Sequence, residues 1–306
     1  MDPLAQTLQL LRPKALTWKQ ADCAGDWAVR FPAISGVAFS WVARGSCRLT
    51  LGDGAPIPLR EGDFVLLTAP PAWTLADGAP TEPLDGRIGH LGVDRYSARV
   101  GRTDGEPTTR TVGGHFSFDA ANQGLLASLL PPLVHVRAAD PGAARLKTLI
   151  GLIDDEAFGD RPGRAPVLER LLEVLLMEVI RQGPTQAAEP RPGLLAGLAD
   201  PQVARALAAI HEDVRRNWTV ADLAAVAGAS RSAFAARFTR VVGAAPIDYL
   251  LSWRMALAKD ALRRRDARLA EVAFASGYSS ASAFSTAFSR IVGCPPARYA
   301  AMVEAG

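Results

Sequence analysis

The most constraining feature of this chain is a pattern near its C-terminus that occurs twice. Each copy contains two phenylalanines, an arginine, a glycine, a proline and a tyrosine in the same order and at the same spacing. The matched residues are Phe234 and Phe284, Phe238 and Phe288, Arg240 and Arg290, Gly243 and Gly293, Pro246 and Pro296, and Tyr249 and Tyr299. A long period with this many matches indicates an internal duplication. Two copies are too few for a solenoid and predict a paired module.

Each copy has the residue order of a helix-turn-helix. Thr219 and Asp222 predict a capping box, and Gly228 predicts the end of that first, short helix. Ser230 then predicts the cap of a second helix, which Gly243 would end. This unit places a recognition helix in the major groove of DNA. The alternative is a plain helical bundle in which the glycines only terminate helices.

The quoted motifs, with Gly277-Tyr278 and Ala283-Phe284-Ser285 of the second copy, resemble the AraC/XylS transcription regulators. The resemblance covers about residues 200–303. It implies two helix-turn-helix units, at about 219–243 and 268–293, that occupy successive major grooves. The long helix joining them is expected from Pro246 to about Arg265.

Charge supports this interpretation. Residues 201–306 carry 14 Arg and Lys against 8 Asp and Glu, whereas residues 1–200 carry 20 against 23. A basic C-terminal part favours a nucleic-acid partner. The chain has no run of eighteen apolar residues, and Met1-Asp2-Pro3 does not begin a secretion signal, so we expect a cytoplasmic protein without a membrane partner.

Residues 27–118 contain short runs of β-branched and aromatic residues separated by Gly, Pro and Asp, which predicts a sandwich or barrel. Arg44-Gly45-Ser46-Cys47 and Gly62-Asp63-Phe64 resemble the cupin jelly roll found in some AraC-type sensors. The predicted fold class is therefore α+β multidomain. A cupin-like β-barrel with following helices precedes an all-α domain with two helix-turn-helix units.

The resemblance to cupins does not extend to their metal ligands. Trp73 stands where a metal-bearing cupin carries a histidine, so we expect no metal and no cofactor. The candidate effector pocket is aromatic instead and comprises Phe39, Trp41, Trp73, His90 and His115. It would bind a small organic molecule. The alternative is that these side chains only fill the barrel.

Two further features bear on signalling. Cys23 and Cys47 could sense a redox signal, although structural cysteines are the favoured interpretation.

The amphipathic stretch 4–11 is expected to be a helix that packs on the first domain. Residues 143–183 predict two apolar helices, and the second is apolar on more than one face, which favours a homodimer. We expect a sensing domain at 1–185, a linker at 186–198 and a DNA-binding domain at 199–306.

The predicted DNA contacts are the exposed first turns of the two recognition helices. We expect Arg231 to read bases, Arg237 to reach base or phosphate, and the second unit to contribute phosphate, thymine-methyl and shape contacts. The full set is Ser230, Arg231, Ser232, Ala235, Ala236, Arg237, Ser280, Ala281, Ser282, Ser285 and Thr286.

The predicted function is a sequence-specific transcription regulator, and not an enzyme. We expect an activator that works with RNA polymerase and is controlled by a small-molecule or redox signal sensed in the cupin domain. The alternative is a cupin-type dioxygenase or isomerase fused to a DNA-binding module, which bound metal in the purified protein would reveal.

Overall fold

The computed structural model describes residues 2–11, 14–87, 96–102, 104–118, 131–182, 192–264 and 267–302. They form two compact units. The first contains residues 14–118 and 131–182, and the second contains residues 192–302 together with residues 2–11. The predicted fold class is confirmed, because the first unit is rich in strands and the second is entirely helical.

Two sheets build the barrel of the first unit. The six-stranded sheet has the order β11-β6-β3-β10-β1-β9, and the five-stranded sheet has the order β5-β4-β7-β2-β8. Buried side chains from both sheets form one apolar core between them. The strands are β1 Lys14–Ala24, β2 Ala28–Phe31, β3 Val37–Arg44, β4 Ser46–Leu51, β5 Ile57–Arg60, β6 Phe64–Thr68, β7 Trp73–Ala76, β8 Leu84–Asp85, β9 Ser97–Gly101, β10 Thr109–Ser117 and β11 Leu133–Val136.

Strand β1 extends the barrel further towards the N-terminus than the sequence predicted. It pairs antiparallel with β10 and parallel with β9, so it lies inside the six-stranded sheet. Trp18 and Cys23 are buried on opposite faces of this strand, and polar residues such as Lys19, Gln20 and Asp22 lie between them. These polar residues conceal the strand in a search for apolar runs.

Two helices follow the barrel, as predicted. Helix α2 spans Ala143–Phe158 and helix α3 spans Arg164–Gln182. They pack against each other, and α3 also contacts β1. Most apolar side chains of α3 are buried within the chain, but Val167 and Val174 are exposed. Among the described residues, no helix has the length and hydropathy needed to cross a membrane.

The first helix-turn-helix of the second unit has the caps that the sequence predicted. Helix α6, Val220–Ala227, begins with the capping box of Thr219 and Asp222 and ends at Gly228, whose φ is 69°. Helix α7, Arg231–Val242, begins at Ser230 and ends at Gly243, whose φ is 83°. Glycine adopts these left-handed angles without a steric penalty.

The second helix-turn-helix repeats this order. Helix α9 spans Leu269–Ala275 and helix α10 spans Ala281–Val292, with Ser280 as the cap of α10. The long helix α8, Pro246–Arg264, joins the two units, and α11, Pro296–Met302, follows the second. The matched phenylalanines of both copies are fully buried.

Helix α1, Pro3–Leu11, corrects one expectation. It packs on α8 and on α5, Pro201–Glu212, and not on the barrel. Thr7 and Leu10 are buried, and the side-chain oxygen of Gln6 lies 2.9 Å from Nδ1 of His211. The amphipathic pattern predicted a buried face, but it could not indicate which domain would cover that face.

The predicted linker also differs from the structure at its C-terminal end. Residues 183–191 lie outside the described residues, but Leu194–Ala199 forms helix α4. Leu194 is buried, and a Cβ atom at Gly197 would come within 2.8 Å of a methyl group of Leu207. This segment therefore belongs to the core of the helical unit.

Candidate nucleic-acid interface and effector cavity

The first recognition helix, α7, presents an exposed first turn. Oγ of Ser230 accepts the hydrogen bond of the Ala233 amide at 3.4 Å, which fixes the start of the helix. Arg231, Ser232 and Ala236 are exposed, and Ala235 is half-buried. The buried Phe234 and Phe238 hold the opposite face of the helix in the core. The turn therefore carries one long cation at the position where a recognition helix meets base edges.

The second recognition helix, α10, carries only short side chains in the equivalent turns. Ser280 caps it by accepting the Ala283 amide at 3.1 Å. Oγ of Ser285 donates to the carbonyl of Ala281 at 2.7 Å, and Oγ1 of Thr286 donates to that of Ser282 at 3.1 Å. These hydroxyl protons are used within the helix. The side chains remain able to accept hydrogen bonds and to make apolar contacts.

Arg237 is held differently from Arg231. Its Nε donates to Oδ2 of Asp200 at 2.7 Å, and Asp200 also caps α5 by accepting the amides of Gln202 and Val203. Burial raises the pKa of Asp200, but the hydrogen bonds from Arg237, Val203 and Gln202 outweigh it and leave the pKa below its usual value. The guanidinium group of Arg237 is thus engaged by the protein itself.

Arg254 is a structural determinant of the interface that the sequence analysis missed. It is buried on α8, and its guanidinium group donates to the carbonyl oxygens of Val214 and Arg216 at 2.9 Å each, in the loop before α6. A Cβ atom at Gly277, in the turn of the second unit, would lie 2.6 Å from Nη2 of Arg254. One side chain therefore contacts both helix-turn-helix units. In the sequence, the one indication of this role is that Arg254 stands between the apolar residues Trp253 and Met255.

The barrel contains a partly open cavity of about 260 Å³ between its two sheets. Phe31, Trp73 and Leu75 line it from the five-stranded sheet. The six-stranded sheet contributes polar side chains, namely Lys19, Ser40, Thr111 and His115. Burial lowers the pKa of His115, which favours a neutral imidazole.

The structure places the predicted pocket residues in several environments. Trp73 and His115 line the cavity, and Trp73 stacks on Phe31 with ring centroids 5.0 Å apart. Phe39 borders the cavity, but its ring packs against Phe64, Phe116 and Trp18, on the other face of the sheet. Its main chain is therefore left to form the cavity wall.

The other two predicted pocket residues do not join this group. Trp41, two positions after Phe39, is not among the residues that line the cavity. Side chains alternate along a strand, so the side chain of Trp41 points to the same face as the ring of Phe39, away from the cavity. The prediction that Trp41 lines the pocket is therefore wrong. His90 lies outside the described residues.

The two N-terminal cysteines are buried side chains of the barrel. Burial raises the pKa of Cys23 to about 12 and that of Cys47 to about 12. Both thiols are protonated at neutral pH, and a thiol reacts as its thiolate. In the described part of the chain, no three His, Cys, Asp or Glu side chains form a group that could hold a metal ion.

Comparison with known proteins gives matches to both parts of the chain. Residues 2–183 match the cupin family, and residues 223–302 match a helix-turn-helix domain family. A putative AraC-like transcription regulator of Streptomyces lividans is 42% identical over 281 residues, which are 92% of this chain and 91% of that protein. One of Streptomyces antibioticus is 41% identical over 92% of both chains. The HTH-type transcriptional regulator AlkR of Acinetobacter baylyi is 28% identical, again over 92% of both.

Proposed function

The chain belongs to the AraC-like transcription regulators, and from this premise we propose that it reads its operator through Arg231 and answers to a molecule bound in the barrel. It is a DNA-binding regulator with a cupin-like N-terminal domain. The observation that carries the proposal is the paired presentation of α7 and α10. Both begin with an exposed serine cap and turn their phenylalanines into the core.

The two recognition helices have different tasks in this proposal. Arg231 grips a guanine through O6 and N7 in one half of the operator. In the other half, Ser282 and Thr286 accept hydrogen bonds or touch thymine methyl groups, so that shape and phosphate contacts dominate. The amides at the starts of α7 and α10 hold phosphates. The exposed Arg240 and Arg290 add positive charge at the ends of these helices.

This division of labour can be tested with the full-length protein. Duplexes selected from a random pool should give a consensus with two unequal halves, one of which is anchored by guanine. Affinity for that consensus should fall as the salt concentration rises, because each neutralised phosphate releases counterions. The absence of a consensus, or binding that salt does not weaken, would reject the proposal.

We further propose that residues 14–182 sense the signal and that residues 192–302 bind DNA. The cavity supports a small-molecule effector, since it lies between the two sheets of the barrel and is lined by apolar and polar side chains together. The buried cysteines make a redox signal the less favoured alternative. A titration that monitors operator affinity with and without candidate effectors tests the coupling.

We propose a homodimer that forms through α3. Val167, Leu171 and Val174 lie along one side of this helix at i, i+4 and i+7, and the two valines are exposed. A second copy would cover this stripe. Val174→Arg should shift the sedimentation coefficient towards that of a monomer, whereas Arg60→Ala, an exposed change on β5, should not.

We propose a cytoplasmic activator that works with RNA polymerase, and not a cupin-type enzyme. The names of the relatives support regulation over catalysis. In vitro transcription from a promoter that carries the selected site should increase when the protein is added. Reduced transcription would show a repressor, and a stoichiometric transition metal in the purified protein would favour the enzyme alternative.

A further inference from the structure

Each helix-turn-helix has an arginine beside the glycine of its turn. Arg205 on α5 lies next to Gly228, and a Cβ atom at that glycine would be 3.5 Å from Nη2 of the arginine. Arg254 on α8 lies next to Gly277, where the same distance would be 2.6 Å. Each arginine precedes its glycine by the same number of residues. The internal duplication therefore includes the helix before each turn and the arginine that this helix carries.

The two equivalent arginines bind different partners. Nη2 of Arg205 donates to the carbonyl oxygen of Ala227, the last residue of α6, at 2.6 Å, so it caps a helix of its own helix-turn-helix. Arg254 donates instead to two carbonyl oxygens of the loop 213–219, at 2.9 Å each, and this loop precedes the first helix-turn-helix. One arginine thus serves one unit, and the other connects both.

A second contact attaches the same loop to the second helix-turn-helix. The guanidinium carbon of Arg215 lies 3.9 Å from the ring centroid of Phe274, which belongs to α9. A guanidinium group over an aromatic face is attracted by the negative potential of the ring. The loop 213–219 is therefore connected to the second helix-turn-helix at two places, through Arg254 and through Arg215.

Hydrogen bonds fix the shape of the loop itself. Oδ1 of Asp213 accepts the amides of Arg215 and Arg216 at 3.2 and 3.1 Å. Nε1 of Trp218 donates to the carbonyl oxygen of Asp213 at 2.9 Å. The loop ends at Thr219, whose capping box begins α6. Because α6 follows directly, the position of the loop determines the position of the first helix-turn-helix.

Burial makes the contact of Arg254 with the loop difficult to break. The residue is 6% exposed, so its guanidinium group has little access to water. A buried charge requires hydrogen-bond partners, and the carbonyl oxygens of the loop provide them. Separation of the loop from α8 would leave the charge and the carbonyl groups without these partners.

We propose that Arg254 is the positioning residue that fixes the distance between the two recognition helices, and with it the spacing of half-sites that the protein accepts. This inference rests on the proposed reading of DNA by α7 and α10, and it names the residue that sets their geometry. One additional base pair moves a half-site by about 3.4 Å and turns it by about 35° around the duplex. Two helices at a fixed distance then lose one half-site, whereas loosely connected helices can follow the change.

The test compares operators that differ only in spacing. The full-length protein is titrated, by fluorescence anisotropy, with its selected duplex and with duplexes that have one base pair more or fewer between the half-sites. The parent protein should lose about tenfold or more in affinity on either change, because the contacts of one half-site are lost. Arg254→Met should reduce this spacing penalty to about threefold or less and keep the guanine preference of the half read by Arg231. Arg205→Met is the matched control and should keep the full penalty. The penalty is a ratio of affinities, so a purely structural loss that weakens all duplexes equally leaves it unchanged.

Two glycine variants probe the same contact without removal of the arginine. Gly277→Ala places a methyl group 2.6 Å from Nη2 of Arg254 and displaces the guanidinium group from the loop. Gly228→Ala has the same strain of a left-handed φ, but its methyl group is at an ordinary contact distance of 3.5 Å from Arg205. Thermal melting measures the strain that both variants share. Gly277→Ala alone should reduce the spacing penalty.

The outcomes separate this inference from the function on which it rests. A folded Arg254→Met protein with the spacing penalty of the parent would overturn the proposal, as would equal penalties for the two glycine variants. A parent protein that selects a two-part consensus but tolerates every spacing retains the proposed readout and rejects the role of Arg254. Selection of no two-part consensus rejects both.

Discussion

The guanidinium group of Arg237 lies in the second turn of a recognition helix, yet its Nε is 2.7 Å from Oδ2 of Asp200, at the start of another helix. Asp200 is only 11% exposed, and it also accepts the first amides of α5. Arg237 therefore fastens α7 to α5. Its first role is to orient the helix that presents Arg231.

Replacement of Asp200 should destabilise the helical unit. Asp200→Ala removes both the cap and the ion pair and should lower the free energy of unfolding by about 1–3 kcal/mol. Asp200→Asn keeps an acceptor for the cap and should cost less. Urea denaturation followed by tryptophan fluorescence measures both variants. Equal losses for the two would mean that the charge of Asp200 accounts for the whole effect and that its cap of α5 adds nothing.

Arg231→Ala should relax base preference in one half of the operator. A bidentate contact between arginine and guanine is worth about 1–3 kcal/mol of discrimination, and Ala281, the equivalent residue of α10, cannot make one. Affinities for a panel of single-base operator changes measure the effect, with Ala281→Ser as the matched control. If Arg231→Ala weakens every sequence equally, the arginine contacts phosphate and our assignment is wrong.

Trp73→Leu should reduce the effector response and leave operator affinity without effector unchanged. The indole ring lines the cavity and stacks on Phe31, so its loss removes part of the apolar wall while leucine keeps the position filled. Dose–response curves for the effector, with a thermal melt of the variant, measure this. A folded variant with a normal response would remove Trp73 from the ligand site.

His211 should make the helical unit sensitive to mild acid. Burial lowers its pKa from 6.5 to about 4, so the unfolded chain binds the proton more readily than the folded protein does. Stability is then complete above the unfolded pKa and declines as the pH falls from about 6.5 towards 4. Between pH 7 and pH 5 the loss should be about 2 kcal/mol.

The control for this prediction is His211→Gln, which removes the titrating group. Denaturation curves at both pH values should show a smaller pH dependence for the variant than for the parent protein. An equal pH dependence in both proteins would exclude His211 as its source.

The neutral imidazole also has a defined tautomer. Since the oxygen of Gln6 can only accept, Nδ1 carries the proton, and Nε2 accepts from the hydroxyl group of Tyr249 at 2.7 Å.

Cys23 and Cys47 should resist alkylation in the folded protein. Both are buried, with a pKa of about 12, whereas Cys294 is partly exposed. Iodoacetamide at pH 7.5 should modify Cys294 first, and all three cysteines should react after denaturation, as mass spectrometry of tryptic peptides would show. Rapid modification of Cys23 or Cys47 in the native protein would revive the redox alternative.

The helical unit was predictable because its signals are local. A serine cap, a glycine at a left-handed angle and phenylalanines four residues apart each act within one or two turns. The partners of Arg237 and Arg254 were not predictable, because they lie about 40 residues away along the chain. Docking of α1 on α5 and α8 depends on a distance in sequence of about 200 residues and leaves no local trace.

The cavity was predictable in kind but not in detail. Trp73 and His115 were identified, whereas Lys19 and Ser40 were missed, because β1 was not recognised as a strand and its register against β10 was unknown. The alternation along β3 likewise determines that the side chain of Ser40, and not the ring of Phe39, faces the cavity. A shift of one residue in register reverses the side chains that face the interior.

The contacts of Arg254 bear on the spacing between the two helix-turn-helix units. Its guanidinium group binds the loop before the first unit and lies against the turn of the second, so we expect the two units to keep a constant spacing when the protein binds DNA. Adjustment is then left to the duplex, and bending a short site costs on the order of 1–6 kcal/mol, depending on its sequence. Base pairs between the two half-sites, which no side chain touches, should therefore affect affinity through their stiffness, with flexible TA and CA steps favoured there.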